Sequence, residues 1–456
     1  MATSSRRRSG LCAAVLVFGV VAASCASDDA SPGSAPPAAT EGAPTETTDS
    51  VTTDATEPTE PTDTADVVTT DDAAAGAGTA CVGSGDGSGE PIVIGSISTD
   101  ESAAANFGDI TVGAEACFNA INESGGINGR PIDFQSCNDG ADPVQGETCA
   151  RDLIDAGAVA VLGGICFSCF SAPIVDILGE AGIPYVGGLP VLPNEYTNEN
   201  FYPITNAGGS AALFANSAWM MLEAEKKGVD PTVVEIYAAV GEADPTLEDQ
   251  ITKLGGTYLK RIGFDPTSAD LSSIAQQAID ENPNFVSVQT DGPNTVKIVT
   301  ALRTQGYEGD ITILGTSSDP QSIEGMGDAS EGVFVAGFFE DLATSDSPDA
   351  LKYRADLEAS GADPAKGLSG IGYAGALVTA VALANAGADV TAESFLTALT
   401  ALEPVQPIFN GNLAAANAVA DFPRTYYFSS YAQTIVDGQI KQTGDVFNFY
   451  TGEPVS

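Results

Sequence analysis

From residue 91 onward, short apolar runs alternate with helical patterns as far as residue 318, and this alternation restricts the possible folds more than any other feature. "PIVIGSIS" (91–98) is followed by a helical stretch with Ile110, Ala114, Phe118 and Ile121 on one face, which "GGINGRP" stops. The strand "PIDFQSC", the helix "VQGETCARDLIDAG", the strand "AVAVLGG", the helix "SAPIVDILGEAG" and the strand "IPYVGG" come next. A second series, from "TVVEIYAAV" to "DITILGTSS", repeats the scheme after a longer helix, "ALFANSAWMMLEAEKKG". Strands alternating with amphipathic helices build right-handed βαβ units and therefore parallel sheets. The expected fold is α/β, with two Rossmann-like lobes.

Open parallel sheets bind ligands beyond the carboxyl ends of their strands, where loops enter helix N-termini. "VLGGICFSCFSAP" (161–173) is such a loop, offering Gly163, Gly164, the Ser168 hydroxyl and backbone donors. Its C-x-x-C pair, Cys166 and Cys169, admits four readings: metal binding, electron exchange, a disulfide, or cysteines incidental to a binding loop.

The N-terminus bears on the choice through the compartment it implies. Arg6, Arg7 and Arg8 precede an apolar run from Leu11 to Ala23, too short to span a bilayer as a mature helix, and Ala22-Ala23-Ser24-Cys25 fits a bacterial lipobox. Residues 1–25 are therefore expected to be a lipoprotein signal peptide with Cys25 the lipidated residue. Residues 26–90, rich in Thr, Pro, Ala and acid, are read as a disordered tether, because they hold too little apolar surface to offset ordering. This places residues 91–456 outside the bacterial cytoplasmic membrane, anchored by lipid alone. In that oxidising compartment the six later cysteines, Cys81, Cys117, Cys137, Cys149, Cys166 and Cys169, are expected to pair. The chain has no histidine, so zinc would need four thiolates, and no thioredoxin-type context surrounds the C-x-x-C pair. Metal and redox readings are set aside.

A net charge of −45 opposes nucleic-acid binding. "ALVTAVALANAGA" (376–388) is too short to span a membrane and reads as a buried helix. Trp219 reads as helix packing, and "GSGDGSG" (83–89), lying ahead of a strand, as the end of the tether. Nothing pairs a nucleophile with a base, so no enzyme is expected, and no metal or cofactor is implied.

Residues 91–450 resemble the leucine/isoleucine/valine-binding class of periplasmic substrate-binding proteins, the solute receptors of ATP-driven importers. The resemblance is carried by "NFGDITVGAEACFNAINESGGINGRPIDFQSCNDGADP", "LIDAGAVAVLGG", "ILGEAGIPYV", "AIDENPNFVSV", "ALRTQGYEGDITILG", "ASEGVFVAG" and "GYAGALVTAVAL". It implies a type I periplasmic-binding-protein fold with two lobes, a three-crossover hinge and a small molecule captured on closure. Transferred here, lobe 1 is 91–207 and 339–430, and lobe 2 is 208–338 and 431–456. The implied partners are a permease and an ATPase of an ABC importer; a lipid-anchored sensor with the same fold is the alternative.

The resemblance also implies site residues. Phe107 matches the aromatic wall of lobe 1, with Phe167 beside it, and Ser168 matches the hydroxyl that holds a ligand carboxylate. "GGLPVLP" places Leu189, Pro190 and Val191 where relatives supply a small residue, an N–H and a threonine, but proline has no N–H and valine no hydroxyl. The acid that meets an ammonium group in relatives is replaced by Ser317, with Asp319 two residues on, and the aromatic wall of lobe 2 falls near Asp291. The amino-acid clamp is thus depleted, and a changed ligand is expected. Tyr373 matches a helix position and reads as core. In relatives a bridge links the end of the second strand to the loop after the third, which suggests Cys137 to Cys166; Cys137 to Cys149 is the local rival.

Overall fold

The computed structural model describes residues 81–102, 106–190, 193–204, 209–239, 244–318, 320–365, 368–402, 407–408, 411–412, 422–426 and 428–455. The signal peptide, Cys25, the tether up to residue 80, Val191 and Asp319 lie outside them.

The first series forms β1 (Ile92–Ser98), α1 (Gly108–Glu123), β2 (Ile132–Asn138), α2 (Pro143–Asp155), β3 (Ala160–Gly163), α3 (Ile174–Glu180), β4 (Tyr185–Gly187), α4 (Pro193–Thr197) and β5 (Phe201–Tyr202). Local chemistry sets their ends: Asp142 caps α2, its carboxylate accepting the Val144 and Gln145 N–H groups, with Pro143 in the first turn. The strands lie in the order β2-β1-β3-β4-β5, all parallel, with Ile97 of β1 opposite both Cys137 and Gly163.

The second series forms α5 (Gly209–Lys227), β6 (Thr232–Ala238), α6 (Thr246–Lys253), β7 (Thr257–Phe264), α7 (Ser272–Asp280), β8 (Phe285–Gln289), α8 (Gly292–Thr304), β9 (Asp310–Ile313), α9 (Pro320–Met326) and β10 (Phe334–Gly337). Three helices follow, α10 (Pro348–Ala359), α11 (Ser369–Ala386) and α12 (Ala392–Thr400), then a small pair, β11 (Pro407–Ile408) and β12 (Gly411–Asn412), and a hairpin, β13 (Ser429–Val436) and β14 (Gln439–Asn448). The second sheet runs β14-β13-β10-β9-β8-β6-β7. Its C-terminal hairpin is antiparallel to β10, so this sheet is mixed rather than wholly parallel. An Asp437-Gly438 turn, both residues at positive φ, closes the hairpin.

The chain returns to the first sheet after β10: α11 packs on α1 and on β3 and β4. Glycines allow this close approach. A Cβ on Gly372 would stand 1.7 Å from the Ile110 carbonyl oxygen, and one on Gly113 would stand 1.9 Å from that of Ser369. By length and composition α11 could cross a membrane, but 78% of it is buried inside the protein, where it forms the core of the first lobe with Tyr373 among its buried residues. The Tyr373 hydroxyl donates to Asp356, 2.7 Å away. Trp219 stacks on Phe334 at 3.9 Å in the core of the second lobe.

Three connections therefore pass between the sheets: after β5, after β10 and before β13. Backbone and side-chain hydrogen bonds tie them together. The Tyr426 N–H donates to the Pro203 carbonyl at 3.0 Å, Arg424 donates to the Thr197 and Asn198 carbonyls, and the Gln433 amide donates to that of Phe339.

Residues 81–90, assigned by composition to the tether, are instead docked on the first lobe. Cys81 is disulfide-bonded to Cys117 of α1, and Ser84 exchanges backbone bonds with Gly126 and Gly129. The glycines that suggested disorder are what permit contact: Gly85 has φ +128°, and a Cβ there would lie 2.4 Å from the Gly129 Cα.

Candidate functional site

Strand order in the first sheet reverses between β1 and β3, and it is beyond the carboxyl ends of strands at such a reversal that open α/β sheets bind ligands. Thr99, the first residue after β1, organises that point. Its N–H donates to the Ile165 carbonyl at 2.8 Å and its own carbonyl accepts the Phe107 N–H at 3.1 Å. Its hydroxyl accepts the Phe167 N–H at 2.9 Å and donates to Asp139 at 2.7 Å. The two aromatic residues expected from sequence are thereby brought together: the half-buried rings of Phe107 and Phe167 meet edge to face with centroids 5.4 Å apart.

Ser168 departs from expectation. It is fully buried, and both its donors point inward to one carboxylate oxygen of Asp139, the hydroxyl at 2.6 Å and the N–H at 3.1 Å. Gly146 of α2 leaves the room for it, since a Cβ there would lie 2.3 Å from the Ser168 hydroxyl. Ser168 therefore directs both of its donors into the loop. The backbone donors of Phe167 and Ser168 are consumed in the same way.

The cysteines pair as Cys81–Cys117, Cys137–Cys149 and Cys166–Cys169. The Cys137–Cys166 bridge implied by the resemblance does not form; α2 turns back over the sheet and brings buried Cys149 to Cys137, so the local rival holds. Cys166–Cys169 closes the loop on itself across a separation of three residues, enclosing Phe167 and Ser168. Among the described residues no group of three or more candidate side chains could hold a metal ion.

Two more elements frame this region. The Leu189 N–H donates to the Gly164 carbonyl, which fixes the loop after β4 to that after β3, and the buried Pro190 carbonyl accepts the Tyr196 hydroxyl of α4 at 3.1 Å. Asp100 accepts the Thr111 hydroxyl at 2.7 Å; burial raises its carboxyl above the usual range, an effect the Thr111 bond partly offsets.

In the second lobe Thr290, just past β8, joins two expected residues. Its carbonyl accepts the buried Ser317 hydroxyl, and its own hydroxyl donates to Asp291 at 2.9 Å. Asp291 stands exposed at the start of α8, accepting also from the Asn294 amide at 2.8 Å. Ser317 is therefore committed to the backbone, and the half-buried ring of Phe338 lies over Gly315, 3.0 Å from where its Cβ would be. Two surface grooves of about 450 and 420 Å³ are lined by other residues, one between α8 and α9, the other between α1 and the end of α10. Thr99, Asp139 and Thr290 were not singled out from sequence. Their signal, a polar residue immediately after an apolar strand, is common to many loops.

Residues 91–430 match the family model for periplasmic binding proteins. The chain belongs to that family. Among curated relatives, the Leu/Ile/Val-binding protein homolog 3 of Brucella melitensis is 32% identical over 93 residues, 20% of this chain and 25% of that protein. An amino acid binding protein of Pseudomonas aeruginosa is 36% identical over 94 residues, again 20% of this chain and 25% of the relative. The matched stretch thus spans a quarter of the curated relatives. A leucine-binding protein from Thermotoga maritima has the same fold, with TM-score 0.60, 19% identity, and coverage of 78% of this chain and 99% of its own. So does a solute-binding protein of an ABC transporter from R. palustris, solved with 4-hydroxybenzoate, with TM-score 0.61, 18% identity and coverage of 78% and 97%. The type I periplasmic-binding-protein fold implied by the resemblance is the fold of this chain.

Proposed function

We propose that this periplasmic binding protein is a lipid-anchored receptor on the outer face of the cytoplasmic membrane that captures a small molecule between its lobes and delivers it to the permease and ATPase of an ABC importer. The supporting observation is the Phe107–Phe167 pair, held by Thr99 at the point where strand order reverses in a sheet of this family. The ligand belongs to the amino acids, amides or related carboxylate or carbonyl compounds, with its apolar part against these rings. The solved relative with bound 4-hydroxybenzoate supports an aromatic portion.

The inward commitment of Phe167 and Ser168 leaves few donors for a carboxylate. The loops leaving β1, β3, β4, β8 and β9 contain no lysine or arginine, and they carry Asp100, Glu101, Asp291 and Asp319. A cationic or amide end therefore suits this receptor better than an anionic one. In a thermal-shift panel of amino acids, amides, ureas, amines and short acids, an amide or amine is expected to stabilise the protein by about 2.7 kcal/mol at roughly 100 times its dissociation constant. Leucine and 4-hydroxybenzoate are expected to give a much smaller shift. Micromolar leucine binding by calorimetry would overturn this ligand assignment.

Cys25→Ser is expected to move the protein from the membrane fraction to the soluble fraction, with thermal unfolding unchanged, because the proposed anchor and the described fold share no residue. Retention of the variant in the detergent phase would remove the lipid anchor from the proposal.

A further inference from the structure

We propose that Asp139 is the positioning residue of the ligand-facing surface in lobe 1, a buried carboxylate that clasps the loops after β1, β2 and β3 into one rigid unit. This role rests on the receptor function proposed above.

Asp139 is wholly buried and accepts four hydrogen bonds from three chain segments. One carboxylate oxygen takes the Thr99 hydroxyl at 2.7 Å and the Ala141 N–H at 2.9 Å; the other takes the Ser168 hydroxyl and N–H at 2.6 and 3.1 Å. A carboxylate with all its donors supplied at short range is a strong acceptor set, and each partner lies on a different loop. Asp139 touches neither phenylalanine ring. It acts through Thr99, which holds the N–H groups of both Phe107 and Phe167, and through Ser168, which follows Phe167 directly. The Cys166–Cys169 bridge closes the same loop, so the clasp and the bridge restrain one segment from two sides.

The chemistry singles out one substitution. In Asp139→Asn the remaining carbonyl oxygen can still serve Thr99 and the Ala141 turn. The amide group that replaces the second oxygen meets the Ser168 N–H, donor against donor. The serine hydroxyl can rotate to accept; its N–H cannot, and it loses its acceptor. The variant therefore loosens the Phe167–Ser168 segment while preserving the turn that leads into α2.

The test uses the exported protein with its disulfides formed. Hydrogen exchange at the Phe167 and Ser168 amides in Asp139→Asn is expected to be at least about tenfold faster than in the parent. Reduction of Cys166–Cys169 by a water-soluble phosphine, followed by alkylation and peptide mass spectrometry, is expected to accelerate while Cys81–Cys117 and Cys137–Cys149 keep their parent rates. Thr99→Ser keeps the hydroxyl and is expected to behave like the parent, whereas Thr99→Val is expected to accelerate exchange at Phe167. Unchanged rates in Asp139→Asn, or equal acceleration at all three bridges, would overturn the clasp. For whichever panel compound binds the parent, Asp139→Asn is expected to raise the dissociation constant more than about tenfold; an unchanged constant with a loosened loop would overturn the positioning role. If no panel compound binds the parent, the receptor function fails, and the exchange and reduction rates still decide the clasp.

Discussion

Replacing Phe422 by alanine is expected to destabilise the protein by about 3 to 5 kcal/mol, the range for truncating a buried aromatic residue. Phe422 lies on the third connection between the sheets and is 2% exposed. Its ring meets Tyr196 and Phe214 edge to face, with centroids 5.0 Å away in each case, and Phe449 at 5.1 Å. These partners come from α4, from α5 and from the C-terminal segment beyond β14, so one side chain fills the space where elements of both lobes converge. Phe428 and Phe449 stack nearby at 5.0 Å, and Phe214 stacks on Tyr450 at 5.4 Å. A cavity at this centre removes contacts from every neighbour at once, and interlocked rings have little freedom to close it. Urea unfolding of parent and variant measures the effect. A loss below about 1 kcal/mol would show that the cluster collapses around the gap and that the junction does not depend on Phe422.

The second large effect concerns Cys81–Cys117, which joins the segment ahead of β1 to α1 across 36 residues. In the chain-entropy view a bridge closing a loop of that length restricts the unfolded chain by about 4 kcal/mol, against about 2 kcal/mol for one as short as Cys166–Cys169. Both cysteines are buried, so the paired replacement by alanine also leaves a small void. Cys81→Ala with Cys117→Ala is therefore expected to lower stability by about 2 to 5 kcal/mol, more than the equivalent change at Cys166 and Cys169. Chemical denaturation of the two double variants gives the comparison. Equal midpoints would contradict it, and four or more alkylated thiols in denatured, unreduced protein would show that the bridges are not formed.

What the amino-acid sequence determined alone was local and periodic. Apolar runs such as "IVIGSIS" and one-faced helices such as that of Ile110, Ala114, Phe118 and Ile121 establish βαβ units, because side-chain period and chain reach depend only on near neighbours. The family resemblance, not this local logic, pointed to Phe107, whose ring meets that of Phe167. Tertiary structure decided the partnerships. Whether Ser168 faces a ligand or Asp139, 29 residues away, depends on the order β2-β1-β3, which no single segment encodes. Six cysteines allow 15 pairings, and α2 folding back over its sheet, not spacing, brought Cys149 to Cys137. The glycines of 83–89 looked like tether, since composition measures the burial a segment can supply by itself; their order comes from a covalent bond to α1 and from backbone contacts with residues about 40 positions further along. Hydrogen bonds and disulfides between distant loops depend on which strands become neighbours, and this is why the loop positions could be read from sequence and the direction of Ser168 could not.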